Sequence, residues 1–231
     1  MKKLICFSLW GDHEFYNYGA LENAILALEV YPGWTCRFYY SSTANPMVLE
    51  KLSQFHHVEL VHVDETRDKV NNMFWRFFPA FFEGDVVFLS RDVDSRLNFR
   101  EKAAVDEWLA SDKDFHIMRD HMYHTVPILG GMWGCRRNIL APLSRHFQQW
   151  KHGPRNDQIF LATIVYPFVK PYSMIHASHY RIEPYVKDFP PSSSCHTRYV
   201  GSYERAAPRA FRALNEEPRL LETKYEHQKH M

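Results

Sequence analysis

Short apolar runs of β type alternate with helix-period segments along most of this chain, and that alternation constrains its fold more than any other feature. Residues 3–8, 35–40, 58–63, 85–89 and 115–118 read as strands. Between them, 20–30 carries an amphipathic helical pattern stopped by Pro32-Gly33. Asn45-Pro46 opens a helix to about Gln54, an N-cap followed by proline at the first helical position. Helical patterns also fall at 69–78, 101–109, 139–149 and 157–165. The expectation is an α/β domain with a mostly parallel central sheet flanked by helices. In such sheets ligands sit beyond the carboxyl ends of the strands, so polar residues directly after a strand carry functional weight.

With 231 residues, 45% of them hydrophobic and 24% charged, the chain can bury a core without disulfides or structural metal. A net charge of +1 with no Lys/Arg-rich run argues against a nucleic-acid partner. No run approaches the roughly 18 apolar residues of a membrane span. The apolar residues 4–10 meet Gly11-Asp12-His13-Glu14 with no small-residue cleavage site, so they read as a first strand rather than a leader. Cys6, Cys36, Cys135 and Cys195 are far apart with no C-x-x-C pair, as expected of reduced, mostly buried thiols in a cytoplasmic protein. Residues 1–189 read as one domain. The turn-rich Pro190-Pro191-Ser192-Ser193-Ser194 begins a charge-dense stretch, and 190–231 is expected to be a peripheral tail, partly helical or disordered.

The run 85–89 leads into Ser90-Arg91-Asp92-Val93-Asp94-Ser95-Arg96. Two carboxylates one residue apart at a strand's carboxyl end suit a hard divalent cation, whose shell is completed by substrate phosphates and water. Arg91 and Arg96 would neutralise those acids or touch phosphate. A solvated turn is the competing reading. Arg76 lies in the aromatic segment 72–78 and needs a carboxylate partner, for which Asp92 and Asp94 are the candidates. Gly130-Gly131 interrupts an apolar strand at 127–134, where a ligand or another backbone approaches closely or a bulge forms. Asn156-Asp157-Gln158 opens a helix, either toward the crevice or simply as N-cap and helix-dipole acid. His176 ends the apolar 172–175, with 174–176 read as a short strand, and is a candidate third ligand. The pairs His121/His124 and His176/His179 match no familiar zinc spacing. Neither a P-loop nor a G-x-G-x-x-G is present.

In their order along the chain, these residues resemble the glycosyltransferases of the GT-A fold, nucleotide-sugar enzymes with a D-x-D metal motif, in their small bacterial and large-DNA-virus form. The resemblance spans about residues 3–180. It implies that Asp92 and Asp94, with Val93 between them, bind Mn²⁺ (or Mg²⁺) and the ribose and diphosphate of the donor. It implies that His176 completes the metal shell and that Arg76 contacts the D-x-D region or the donor. Leu9, Trp10 and Gly11 fall where the nucleotide base is held, Gly130 and Gly131 where sugar or acceptor passes, and Asp157 near the transferred sugar. UDP is the nucleotide most frequent in the family. One departure is Ser90-Arg91 before the D-x-D, where the family carries an apolar or aromatic residue and often another acid. That leaves retention or inversion open. An inverting enzyme needs a carboxylate base for the acceptor hydroxyl, with Asp157 the first candidate and Asp120, after a strand, the second. The expected reaction moves a sugar from a nucleoside-diphosphate donor to a glycan or other hydroxyl acceptor. A metal-dependent phosphoesterase or nucleotidyltransferase, and a non-catalytic nucleotide-sugar-binding module, are the alternatives.

Overall fold

From Leu4 to Leu9 every residue of the first strand is buried, as in a central parallel strand covered on both faces. The computed structural model describes residues 1–64, 71–150, 156–191 and 199–202. Strands β1 (Lys2–Leu9), β2 (Thr35–Tyr40), β3 (Val58–His62), β4 (Val86–Ser90), β5 (Phe115–Arg119), β6 (Trp133–Cys135) and β7 (Ser173–Ala177) form one sheet in the order β3-β2-β1-β4-β6-β5-β7. All pairings are parallel except those of β6, which runs antiparallel between β4 and β5. The chain thus adopts the α/β class that its alternating pattern leads one to expect.

The helices are α1 (Glu14–Val30), α2 (Pro46–Ser53), α3 (Phe78–Phe82), α4 (Phe99–Ala110), α5 (Ser144–Gln149), α6 (Asn156–Phe160) and α7 (Tyr166–Val169). The two-residue period of β1 sends Ile5, Phe7 and Leu9 into one core with Leu21 and Ile25 of α1, Leu52 of α2 and Trp108 of α4. Leu4 and Cys6 belong to the opposite core, which is rich in aromatic residues. There the rings of Phe81 and Phe147 stack with centroids 4.4 Å apart. Cys6, Cys36 and Cys135 are buried free thiols. Among the described residues no helix is long and apolar enough to cross a membrane.

Several elements depart from their expected form. Helix α1 begins six residues before position 20, because His13 caps it with an imidazole: Nδ1 accepts the Phe15 N–H at 3.2 Å. Of the strand expected at 127–134 only Trp133 and Gly134 pair; ahead of them Met132 donates to the Leu129 carbonyl at 3.1 Å in a turn that Gly130 and Gly131 permit. In place of a helix over 139–149, a 3₁₀ turn precedes the short α5. The helix expected at 157–165 widens into a π-helical turn at Leu161–Val165, just ahead of Pro167, which has no N–H to continue a regular ladder. For the helix expected at 69–78, residues 65–70 lie outside the described set, and Asn72–Phe77 is 3₁₀. The tail expected from 190 onward lies mostly outside it as well, at 192–198 and 203–231.

Candidate functional site

The carboxyl ends of β1 and β4 lie side by side, with Cys6 opposite Ser90. Arg91 extends the pairing by donating its N–H to the Cys6 carbonyl at 3.0 Å, and the chain then turns through Asp92, Val93 and Asp94. On the β1 side the chain turns at Gly11, whose φ of +71° is the left-handed region glycine tolerates. Between these turns lies a cavity of about 370 Å³, a size suited to a nucleotide-like ligand. Trp10, Tyr16 and Met73 supply its apolar wall, and Ser8, Arg76, Asp92 and Asp94 its polar one. Gly11, His13 and Val93 complete the lining.

Arg76 organises the polar wall. It is 3% exposed, at the end of the 3₁₀ helix, and its backbone N–H donates to the Ser8 hydroxyl at 3.1 Å. Its guanidinium donates to Asp92 Oδ1 through Nη1 and lies 3.4 Å from Asp157 Oδ2 through Nη2. The Gly130-Gly131 backbone is packed onto this assembly. A Cβ on Gly130 would lie 2.5 Å from Arg76 Nη2 and 2.7 Å from Asp157 Oδ2. One on Gly131 would overlap Asp92 Oδ2 and sit 2.9 Å from the Asp92 nitrogen. Ser90 fixes the same backbone by donating to the Gly130 carbonyl at 2.6 Å. Gly131→Ala is therefore expected to displace the Asp92 carboxylate. If the cavity holds a nucleotide, titrations should show its affinity weakened about tenfold or more, the effect of roughly 1.4 kcal/mol, with the protein still folded.

Burial and the neighbouring Asp92 charge push the Asp94 carboxyl up to about 6, with Arg76 and Arg96 opposing. Burial also raises Asp157, against the pull of Arg76. Two carboxylates at one cavity, one of them pushed up by burial and then by its neighbour, form a donor set that a divalent cation would relieve. Among the described residues no group of three or more His, Cys, Asp or Glu side chains converges as a complete metal site. A Mn²⁺ or Mg²⁺ held by Asp92 and Asp94 alone fits these ions, which keep water and take substrate phosphates as further ligands.

Several expected site residues lie elsewhere. His176 is fully buried in β7, separated from β4 by β6 and β5, roughly 14 Å at ordinary strand spacing. Its Nδ1 is 2.9 Å from His116 Nε2 and its Nε2 3.1 Å from Glu107 Oε2, so both ring nitrogens are engaged away from the Asp pair. Arg91 turns from the cavity to Glu101 at 3.1 Å and to the carbonyls of Ser90 and Trp133. Arg96 pairs with Glu22 at 2.6 Å. Leu9 is buried in the core, and its carbonyl accepts the Ser41 N–H at 3.2 Å. Asp120 has both oxygens occupied by Arg100, the Ser178 hydroxyl and the Val200 N–H. Burial works to raise its carboxyl, but these donors outweigh it and hold it below the usual range, which opposes a role as base. Conversely, Ser8, His13, Tyr16 and Met73 line the cavity without having been singled out. Ser8 had one available signal, a hydroxyl interrupting an otherwise apolar central strand.

No protein-family model matches the chain, and neither does any curated protein sequence. Among solved structures, a 4-diphosphocytidyl-2C-methyl-D-erythritol synthase from Anaerococcus prevotii is similar at a TM-score of 0.50 and 9% identity, covering 93% of this chain and 95% of that one. A glycosyltransferase involved in glycosylation of the major capsid of PBCV-1 is similar at a TM-score of 0.45 and 12% identity, covering 77% and 82%. A galactosyltransferase, LgtC, in complex with donor and acceptor sugar analogues is similar at 0.44 and 10%, covering 96% and 95%. The mostly parallel seven-stranded sheet flanked by helices is an α/β arrangement like that of the synthase.

Proposed function

We propose that this chain is a metal-dependent glycosyltransferase that transfers a sugar from a UDP-sugar to a hydroxyl acceptor. The observation that carries this reading is the joining, in one cavity, of an aromatic wall to the Arg76-braced pair Asp92 and Asp94. Trp10 offers the nucleobase a stacking face. Its own ring stands edge-on to Trp75, centroids 6.2 Å apart, which fixes its orientation. Asp92 and Asp94 would hold Mn²⁺ or Mg²⁺ together with the donor diphosphate, and the bound ion would neutralise charge on the departing nucleoside diphosphate. Arg76 keeps Asp92 and Asp157 in fixed positions, so neither carboxylate must reorganise as charge develops. Asp157, with its raised affinity for a proton, accepts the acceptor's hydroxyl proton if the reaction inverts. In a retaining reaction the same carboxylate orients the acceptor.

The test is a panel of UDP-, GDP-, TDP- and CMP-sugars, with and without Mn²⁺, scored for binding and for slow donor hydrolysis. Metal-dependent binding of a UDP-sugar with release of UDP is the expected result. Absence of binding to every nucleotide sugar overturns the proposal. Pyrophosphate release from a nucleoside triphosphate and a sugar phosphate would identify nucleotidyl transfer instead. Trp10→Ala is expected to weaken UDP binding by about 1–3 kcal/mol, the usual worth of a base–aromatic stack, as read by calorimetry.

A further inference from the structure

The turn that carries Asp92 and Asp94 is irregular, yet its backbone polar groups are bonded from the side facing away from the cavity. The Val93 carbonyl accepts from Arg96 Nη1 at 2.9 Å and from Asn23 Nδ2 at 3.4 Å. The Ser95 carbonyl accepts from Asn23 Nδ2 at 2.8 Å and from Arg96 Nη1 at 3.2 Å. The Leu97 N–H donates to Asn23 Oδ1 at 3.1 Å, so one amide bridges both ends of the turn. Arg96 Nε donates to Glu22 Oε2 at 2.6 Å. Asn23, Glu22 and Arg96 are all buried. On α1, Gly19, Glu22 and Asn23 are spaced three and four apart and so share one face. A Cβ on Gly19 would overlap the Val93 carbonyl oxygen and lie 3.0 Å from Arg96 Nη1.

Glycine and asparagine inside a helix each weaken it, by up to about 1 kcal/mol, and a helix that only covered a core would carry Ala or Leu there. Their presence is explained by what they touch. Nearer the start of α1, Asn17 holds the opposite wall of the cavity. Its Nδ2 donates to the Gly11 carbonyl at 2.8 Å and its Oδ1 accepts the Asn45 N–H at 3.0 Å. A single rigid helix therefore spans the two turns that frame the cavity.

We propose that Asn23 and the Glu22–Arg96 pair are positioning residues that clamp the Asp92–Asp94 turn onto α1 and thereby set affinity for a nucleoside diphosphate with its divalent cation. This deepens the functional proposal and rests on its reading of that turn as the donor site. Two carboxylates facing one cavity repel each other, and an unclamped turn relaxes by swinging them apart. Binding must then restore their arrangement, and affinity falls by that amount.

The test uses the full chain, with UDP and Mn²⁺ as probes, in calorimetry well below each variant's melting temperature. Asn23→Ala leaves the Leu97 N–H without its partner and is expected to weaken Mn²⁺-dependent UDP binding about tenfold or more. Glu22→Ala should act in the same direction. Glu22→Gln, which keeps an acceptor for Arg96, should restore most of the affinity. Val48→Ala in α2 is the control for lost stability alone, and it should keep the wild-type affinity. Wild-type affinity in folded Asn23→Ala overturns the clamp, as does an equal loss in Val48→Ala. If Asn23→Ala does not fold, the contrast between Glu22→Ala and Glu22→Gln decides. If wild-type protein binds no UDP with Mn²⁺, the donor-site reading fails, and amide exchange at Leu97 then judges the clamp separately. That exchange should speed about a hundredfold in Asn23→Ala over Val48→Ala, and an unchanged rate overturns the clamp too.

Discussion

Exchanging Asp94 for asparagine is expected to abolish nearly all metal-dependent turnover while making the metal-free protein more stable at neutral pH. The loss of turnover, about a hundred- to a thousandfold, is that of removing one directly placed charged group from a transfer site. The gain in stability follows from the direction of the Asp94 shift. Its carboxyl is pushed up to about 6 by burial and by Asp92, above the roughly 4 of a free aspartate. A group raised in the folded state contributes stability below its unfolded value and loses it as pH rises through its folded value. In chelator, therefore, wild-type stability should fall between about pH 4 and pH 7 by something on the order of 1–2 kcal/mol once solvent screening is allowed for. Asp94→Asn should lack that component of the fall. Thermal melts in EDTA across this range check the prediction, and equal pH profiles for the two proteins would contradict it.

Arg76→Ala should damage the protein most broadly. The side chain is nearly buried and faces Asp92 and Asp157 together. Removing one member of a buried ionic group strands the others, typically at about 3–5 kcal/mol. Melting temperature and nucleotide affinity should therefore fall together. Arg76→Lys should recover little of either, because an ammonium cannot reach two carboxylates with a planar fork. A melting temperature and a UDP affinity both unchanged in Arg76→Ala would refute the bracing role.

Much of the architecture was readable in the chain because central parallel strands must be apolar on both faces. The runs ending at Leu9, Tyr40 and Ser90 could be little else. The start of α2 was equally plain, since Asn45 Oδ1 does accept the N–H groups of Met47 and Val48. Side-chain direction after a strand was not readable. Arg91 and Asp92 are neighbours, yet one enters the α4 side to meet Glu101 and the other opens to the cavity. Strand order was hidden as well. His176 looks available beside small residues in the sequence, but the sheet places β7 beyond β5, and no local pattern encodes that. The Gly130-Gly131 pair signalled a close approach, expected from a ligand or another backbone, but mainly side chains make it. The approaching atoms include those of Arg76, Asp157 and Asp92, whose convergence is purely tertiary.

Because β6 lies between two strands made before it, the order of synthesis and the order in space disagree. As the chain leaves the ribosome, β4 can dock on β1 early, but its other edge stays open until Trp133–Cys135 emerges. Asp157 follows later still. At about 5–20 residues per second, the stretch from Ser90 to Asp157 takes several seconds. In the earlier part of that interval, until Cys135 is made, the nascent protein presents the apolar edge of Val87, Phe88 and Leu89 with no strand to cover it, the kind of edge that seeks pairing with other chains. Its dependence on holding chaperones should therefore be greatest in this window and should end when a strand of only three residues arrives.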